Sequence, residues 1–75
     1  MKELVEYIAK SLVDDPAAVN VDEKRGRSGS TLILQVSPDY AGRVIGKSGR
    51  VANAIRTLIR SVAMQNGERI SLEIE

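Results

Sequence analysis

The chain has 75 residues and a formal net charge of +1, so we expect a single domain over residues 1–75. It contains no cysteine and no histidine, which excludes disulfides, Cys/His zinc sites and histidine acid–base catalysis. No apolar segment approaches the roughly 18 to 20 residues that cross a bilayer, so we expect a cytoplasmic protein with no membrane partner.

The first half of the chain predicts a helix followed by a β-hairpin. A helix over residues 2–13 ends before Pro16, because proline disfavours helical geometry in the residue that precedes it. Alternating apolar residues predict a strand that begins at Val19 and a second one at 31–36, with a glycine- and serine-rich turn at 26–30 between them. The apolar residues on one face of the helix are Leu4, Val5, Ile8 and Leu12.

The second half predicts two helices and a last strand. Ser37-Pro38-Asp39 is a helix-start signal with a capping hydroxyl, and this helix is short because Gly46 follows. A longer helix begins at Ser48 or Gly49 and stops at Asn66-Gly67 with a C-terminal glycine cap. Alternation over 70–75 predicts the third strand. The apolar face of the longer helix consists of Val51, Ala54, Ile55, Leu58, Ile59 and Val62.

The predicted order is α-β-β-α-α-β, which places the chain in the α+β class. The first two strands are close enough for an antiparallel hairpin, whereas the crossover of about 30 residues before the third strand allows parallel pairing. All three strands alternate, so we expect one sheet face covered by three helices and the other face in water. The predicted architecture is a two-layer sandwich with a three-stranded mixed sheet.

Charge is distributed unevenly along the chain. Residues 40–60 contain five basic residues and no acid, so this segment carries +5 and the remainder carries −4. A local basic field attracts polyanions even when the whole molecule is nearly neutral. Three further basic residues flank the predicted hairpin turn and either form a second contact or solvate an exposed tip. These are Lys24, Arg25 and Arg27.

The segment Gly46-Lys47-Ser48-Gly49 joins the two predicted helices. Glycine at both ends lets the backbone turn sharply and approach a ligand closely. The N–H groups at the start of the following helix attract phosphate, and Lys47 and Arg50 add positive charge beside them. The pattern therefore indicates a phosphate clamp. The alternative is that the two glycines only connect two helices.

The same residues also match the end of a P-loop, G-x-x-x-x-G-K-[S/T]. The first glycine of that motif would fall at Ala41, and a short helix rather than a buried strand precedes the loop. We therefore expect no nucleotide hydrolysis, no small-molecule substrate and no cofactor. The carboxylates lie near element ends, where they cap and solvate, so we do not expect an enzyme.

The segments 1–12, 37–39, 42–50 and 54–58 together resemble the small bacterial KH-domain proteins of the KhpA type, which consist of one type II KH domain. KH domains clamp about four nucleotides of a single strand at a G-x-x-G loop. The resemblance implies binding of single-stranded RNA. It places the clamp at Gly46, Lys47, Ser48 and Gly49, with adjacent cations at Arg43 and Arg50. It places apolar positions around the loop at Ile45 and Ile55. Arg56 would be a further contact to the RNA backbone, or equally a solvated helix residue.

The resemblance also implies a cellular role. Proteins of this type resemble RNA chaperones that act as homodimers, or with a larger KH-containing partner of the KhpB type, and affect cell-wall synthesis and cell length. The sequence departs from the family pattern at two positions that bear on RNA affinity. Ser48 stands where the family often has a basic residue, and Ala52 stands where isoleucine is common. The alternative function is a dimerisation module with weak nucleic-acid binding, since only Tyr7 and Tyr40 are aromatic.

Overall fold

A computed structural model describes all residues from Met1 to Glu75. Its elements follow the predicted α-β-β-α-α-β order, and two short 3-10 turns lie between them, at Pro16–Ala18 and Lys47–Gly49. No helix combines the length and the apolar character needed to cross a membrane. The elements are α1 (Lys2–Ser11), β1 (Val19–Gly26), β2 (Gly29–Val36), α2 (Pro38–Ile45), α3 (Arg50–Gln65) and β3 (Ile70–Ile74).

The three strands form one mixed sheet in the order β1-β2-β3. The first pair is antiparallel, with Val21 opposite Leu34, and the second pair is parallel, with Leu32 opposite Leu72. The crossover through α2 and α3 therefore returns the chain to the far side of β2. The predicted fold class, with its hairpin and its parallel third strand, is confirmed.

The core lies between the sheet and the three helices. Alternate residues of the strands point inward, so Leu32 and Leu34 on the central strand are fully buried. Each helix adds an apolar side chain to the same layer: Val5 from α1, Val44 from α2 and Ile59 from α3. The core has no buried polar side chain that requires a partner, so apolar burial holds the two layers together.

The second face of the sheet is less uniformly wet than the alternation predicts. Ile33 points to this face and is nevertheless only 8% exposed. It lies on the central strand, paired with Asp22 on one side and Glu73 on the other. Neighbouring side chains on both sides of a central strand can cover an aliphatic residue without a second layer of helices.

The buried face of α3 is rotated from the predicted one. Ala54 and Leu58 are exposed, and the helix instead buries Ala52 and Ala63 together with Ile55 and Ile59. Periodicity counts apolar residues, and it does not register that small alanines permit close approach of the helix to its neighbours. The side of α3 that carries Leu58 is therefore left in solvent.

The termini of the elements differ in detail from the prediction. The turn of the hairpin is only Arg27-Ser28, because Gly26 and Gly29 pair as strand residues. Ser37 occupies the N-cap of α2, but its side chain makes no capping hydrogen bond. The glycine cap of α3 is confirmed: Gly67 has φ 71°, and the next N–H donates to the carbonyl oxygen of Ala63 at 2.8 Å.

Candidate nucleic-acid interface

The loop between α2 and α3 has an unusual backbone. Gly46 and Gly49 have φ values of 77° and 75°, and Ser48 between them has φ 58°. The left-handed region is open to glycine but costs other residues energy. Gly46 is required for a second reason, since a Cβ there would lie 2.5 Å from the Cγ2 atom of Val51. The loop is a tight, specified turn directly before α3.

Ser48 is the one non-glycine residue with positive φ in the structure. Residues in such strained conformations are concentrated at active sites and ligand-binding loops, where the surrounding structure stabilises them. Its side chain is exposed and makes no hydrogen bond to the protein. The hydroxyl is therefore available to a ligand at the tip of the loop.

Lys47 and Arg50 are the free cations of the loop. Both are exposed, and neither has a carboxylate within the 4.0 Å of an ion pair. They flank the N-terminal end of α3, whose dipole favours an anion. The N–H groups of Gly49 and Arg50 already donate to the carbonyl oxygens of Gly46 and Lys47. The structure thus brings two unpaired positive charges and a helix N-terminus to one place.

Arg43 lies in the last turn of α2 and is engaged elsewhere. Its Nη1 atom donates to Oδ2 of Asp14 at 3.2 Å, and its guanidinium lies 5.6 Å from the centre of the Tyr40 ring. Asp14 belongs to the connection between α1 and β1. A ligand that recruits Arg43 must therefore compete with a carboxylate. No sequence pattern indicates this pair, because its members are 29 residues apart.

The two isoleucines assigned to the site occupy different environments. Ile45, immediately before the loop, is 40% exposed and can offer an apolar contact to a base. Ile55 is only 5% exposed and belongs to the main core cluster, so its side chain supports α3 beneath the loop. Ala52, the other apolar position near the loop, is buried at 3% exposure.

Arg56 reaches from α3 to the edge of the sheet. Its Nε donates to the carbonyl oxygen of Leu72 at 3.3 Å, and its Nη1 donates to Oδ1 of Asn53 at the same distance. The Arg69 and Glu75 backbones bond to β2, so alternation directs the Leu72 backbone to the free edge of β3. Arg56 therefore lies along the groove between α3 and that edge, one turn before the exposed Arg60.

The comparisons with known proteins agree with one another. A family model described as "KhpA/KhpB, KH domain" matches residues 2–74. Over 74 residues the chain is 51% identical to the "RNA-binding protein KhpA" of Clostridium perfringens, with 99% of each chain covered. The protein of that name from Caldanaerobacter subterraneus subsp. tengcongensis is 49% identical over 99% of each chain. The one from Aquifex aeolicus is 42% identical, covering 99% of this chain and 94% of the relative.

Proposed function

The chain belongs to the KhpA/KhpB KH-domain family, and on that premise we propose that it binds single-stranded RNA through the loop Gly46–Gly49. The observation that carries the proposal is the coincidence of two unpaired cations, Lys47 and Arg50, with a left-handed loop at the start of α3. Backbone N–H groups and positive charge together are the chemistry that holds a phosphate.

The residues of the site divide by what each can offer to RNA. Lys47, Arg50 and the loop backbone contact phosphates, and Ile45 contacts a base. Arg43 joins them only when it leaves Asp14, while Arg56 and Arg60 continue the basic path along α3. Gly46, Gly49 and Ile55 shape and support the loop. Few of these contacts would recognise base edges. We therefore expect the protein to show weak RNA sequence preference and an affinity that depends strongly on salt.

A titration of a short, unstructured RNA by fluorescence anisotropy tests the proposal. The variant Lys47→Asp/Ser48→Asp reverses the charge of the loop, and aspartate tolerates the left-handed conformation at position 48 better than most residues. We expect this variant to lose most of the binding. With two phosphates held by Lys47 and Arg50, the wild-type slope of log affinity against log salt should be about −1.4.

The chain offers a matched control for that variant. Lys10-Ser11 is a second exposed Lys-Ser pair, at the end of α1 and outside the loop. The variant Lys10→Asp/Ser11→Asp makes the same charge change and should leave binding within about twofold of the wild type. Circular dichroism establishes that both variants are folded. Equal binding by wild type and loop variant, or equal losses in both variants, would contradict the clamp.

The proposed cellular role follows from the family resemblance. The protein acts as an RNA chaperone or post-transcriptional regulator together with a larger KH-containing partner of the KhpB type, in the cytoplasm, with effects on cell-wall synthesis and cell length. The family name joins KhpA and KhpB, which supports such a partner. Co-purification with tagged protein, in the presence and absence of ribonuclease, tests whether the partner binds the protein directly.

A second candidate function is protein interaction, and the solvent-facing side of α3 favours it. Leu58 is 47% exposed and lies beside Ala54 and small polar residues on that side. Small side chains allow a second helix to approach closely, and a small domain gains stability from pairing. Light scattering over a dilution series tests self-association, with Leu58→Asp as the disrupting variant. A strict monomer that still binds RNA would contradict a dimer requirement.

A further inference from the structure

At the end of the sheet beside the hairpin turn, three parts of the chain enclose a polar cleft of about 740 Å³. The parts are the β1–β2 turn, the first residues of α1, and the connection from α3 to β3. The hairpin and the α3–β3 connection are held together, because the Ser30 N–H donates to the Arg69 carbonyl oxygen at 2.9 Å. Gly29, with φ 138°, has no room for a Cβ against that carbonyl. The cleft is therefore a built feature of the fold.

Four cationic side chains line this cleft. The hairpin contributes Arg25, Arg27 and one acid, Glu23, and the fold adds Lys2 and Arg69 from the other two parts. Arg27 and Arg69 are exposed, and neither has a carboxylate within ion-pair distance. Three carboxylates also line the cleft, and one of them, Glu23, lies 3.4 Å from Nε of Arg25. Lys2 has no ion pair either but is half-buried, so the exposed unpaired positive charge of the cleft belongs to Arg27 and Arg69.

The cleft lies at the far end of α3 from the loop. The helix has 16 residues and is therefore about 24 Å long. The clamp lies directly before the first residue of α3, and the connection that carries Arg69 follows the last residue of the helix. Arg56 and Arg60 stand between the two ends. A strand of RNA of about four nucleotides fits the clamp alone, whereas a longer strand that follows α3 arrives at the hairpin cleft.

We propose that the cleft at the hairpin end is a second phosphate-binding surface, at which Arg27 and Arg69 hold the backbone of a single-stranded RNA that extends beyond the loop clamp. This inference rests on the proposed function and lengthens its binding site. The contact is electrostatic and independent of sequence. It makes the affinity for long RNA strands higher than the affinity for short ones. It also makes the affinity for long strands more dependent on salt.

The test compares two unstructured RNAs, one of about five nucleotides, which fills the clamp alone, and one of about twelve. The variant Arg27→Gln/Arg69→Gln should lower the affinity for the longer RNA by about 3- to 10-fold and reduce the steepness of its salt slope by about 1.4. Its affinity for the shorter RNA should stay within about twofold. Lys10→Gln, which removes an exposed cation elsewhere, should leave both unchanged.

A variant that is expected to raise the RNA affinity keeps the test independent of folding defects, because a misfolded protein would lose affinity. Glu68 is an exposed carboxylate in the same cleft, and Glu68→Gln should raise the affinity for the longer RNA alone by about twofold. Unchanged binding of the longer RNA by both cleft variants, or equal losses for both lengths, would overturn the second surface while the clamp stands. Failure of the wild type to bind either RNA removes the proposed function and the extension together.

Discussion

At the scale of single residues, the loop shows how two glycines in one motif differ in their requirements. Gly46 combines a positive φ with a close neighbour, whereas Gly49 has a positive φ but space around it. A Cβ at Gly49 would come no nearer to another atom than 3.9 Å, the distance to Nδ2 of Asn53. A third glycine, Gly42, lies inside α2 with open space around it. Only the first of these positions rejects alanine on both conformational and steric grounds.

This contrast gives a paired stability prediction. Gly46→Ala should lower the free energy of unfolding by about 1 to 3 kcal/mol, because it adds backbone strain and a collision with Val51. Gly42→Ala should raise it by about 0.5 to 1 kcal/mol, because alanine is the better helix former. Urea unfolding followed by circular dichroism measures both. Equal effects of the two substitutions would show that the loop is not the tight turn described above.

The pairing of Arg43 with Asp14 gives a second prediction. Both side chains are largely exposed, so the pair contributes at most about 1 kcal/mol to stability. Asp14→Asn frees Arg43 for phosphate and removes a repelling charge, so it should raise RNA affinity by about two- to fourfold at low salt, an effect of the size expected for an exposed pair. Anisotropy titration measures this change. Asp22→Asn, on the open sheet face, removes the same charge from a carboxylate that makes no ion pair with Arg43, and an equal gain there would contradict the role of Asp14.

At the scale of elements, local patterns predicted the order, the strand pairing and the position of the loop. Alternation and helical periodicity are properties of neighbouring residues, so they can be recognised from the sequence alone. What they could not show depends on tertiary contacts. The exposure of Leu58, the burial of Ile33 and the capture of Arg43 by Asp14 each depend on how distant parts of the chain pack together. The sequence therefore located the candidate site but not which of its cations are free.

The junction between the hairpin and the α3–β3 connection carries an element-scale prediction. Gly29→Ala should cost about 2 to 4 kcal/mol of stability, since it joins an unfavourable φ to an overlap with the Arg69 carbonyl oxygen. Gly67→Ala should cost only about 1 kcal/mol, because that residue has a positive φ but open space. Thermal unfolding of both variants measures the difference. A Gly29→Ala protein as stable as Gly67→Ala would mean that the two parts are not locked together.

At the scale of the whole molecule, charge separates the two sides of the sandwich. The loop and α3 carry unpaired cations and no carboxylate, whereas the open face of the sheet carries Asp22, Glu73 and Glu75 and one cation, Lys24, by strand alternation. Although the molecule is nearly neutral, its sheet face repels a polyanion and its helical side attracts one, so the bound polyanion is oriented. This asymmetry makes the helical side the expected surface for RNA.

The most direct measurement is a ¹H–¹⁵N NMR titration of the folded protein with a short, unstructured RNA. It reports on each backbone N–H group, and phosphate binding by the clamp involves those of the loop and the first turn of α3. We expect the largest shift changes at Lys47, Ser48, Gly49 and Val51, with little change on β1. Large changes confined to the solvent-facing side of α3 around Leu58, or no changes at the loop, would contradict the clamp.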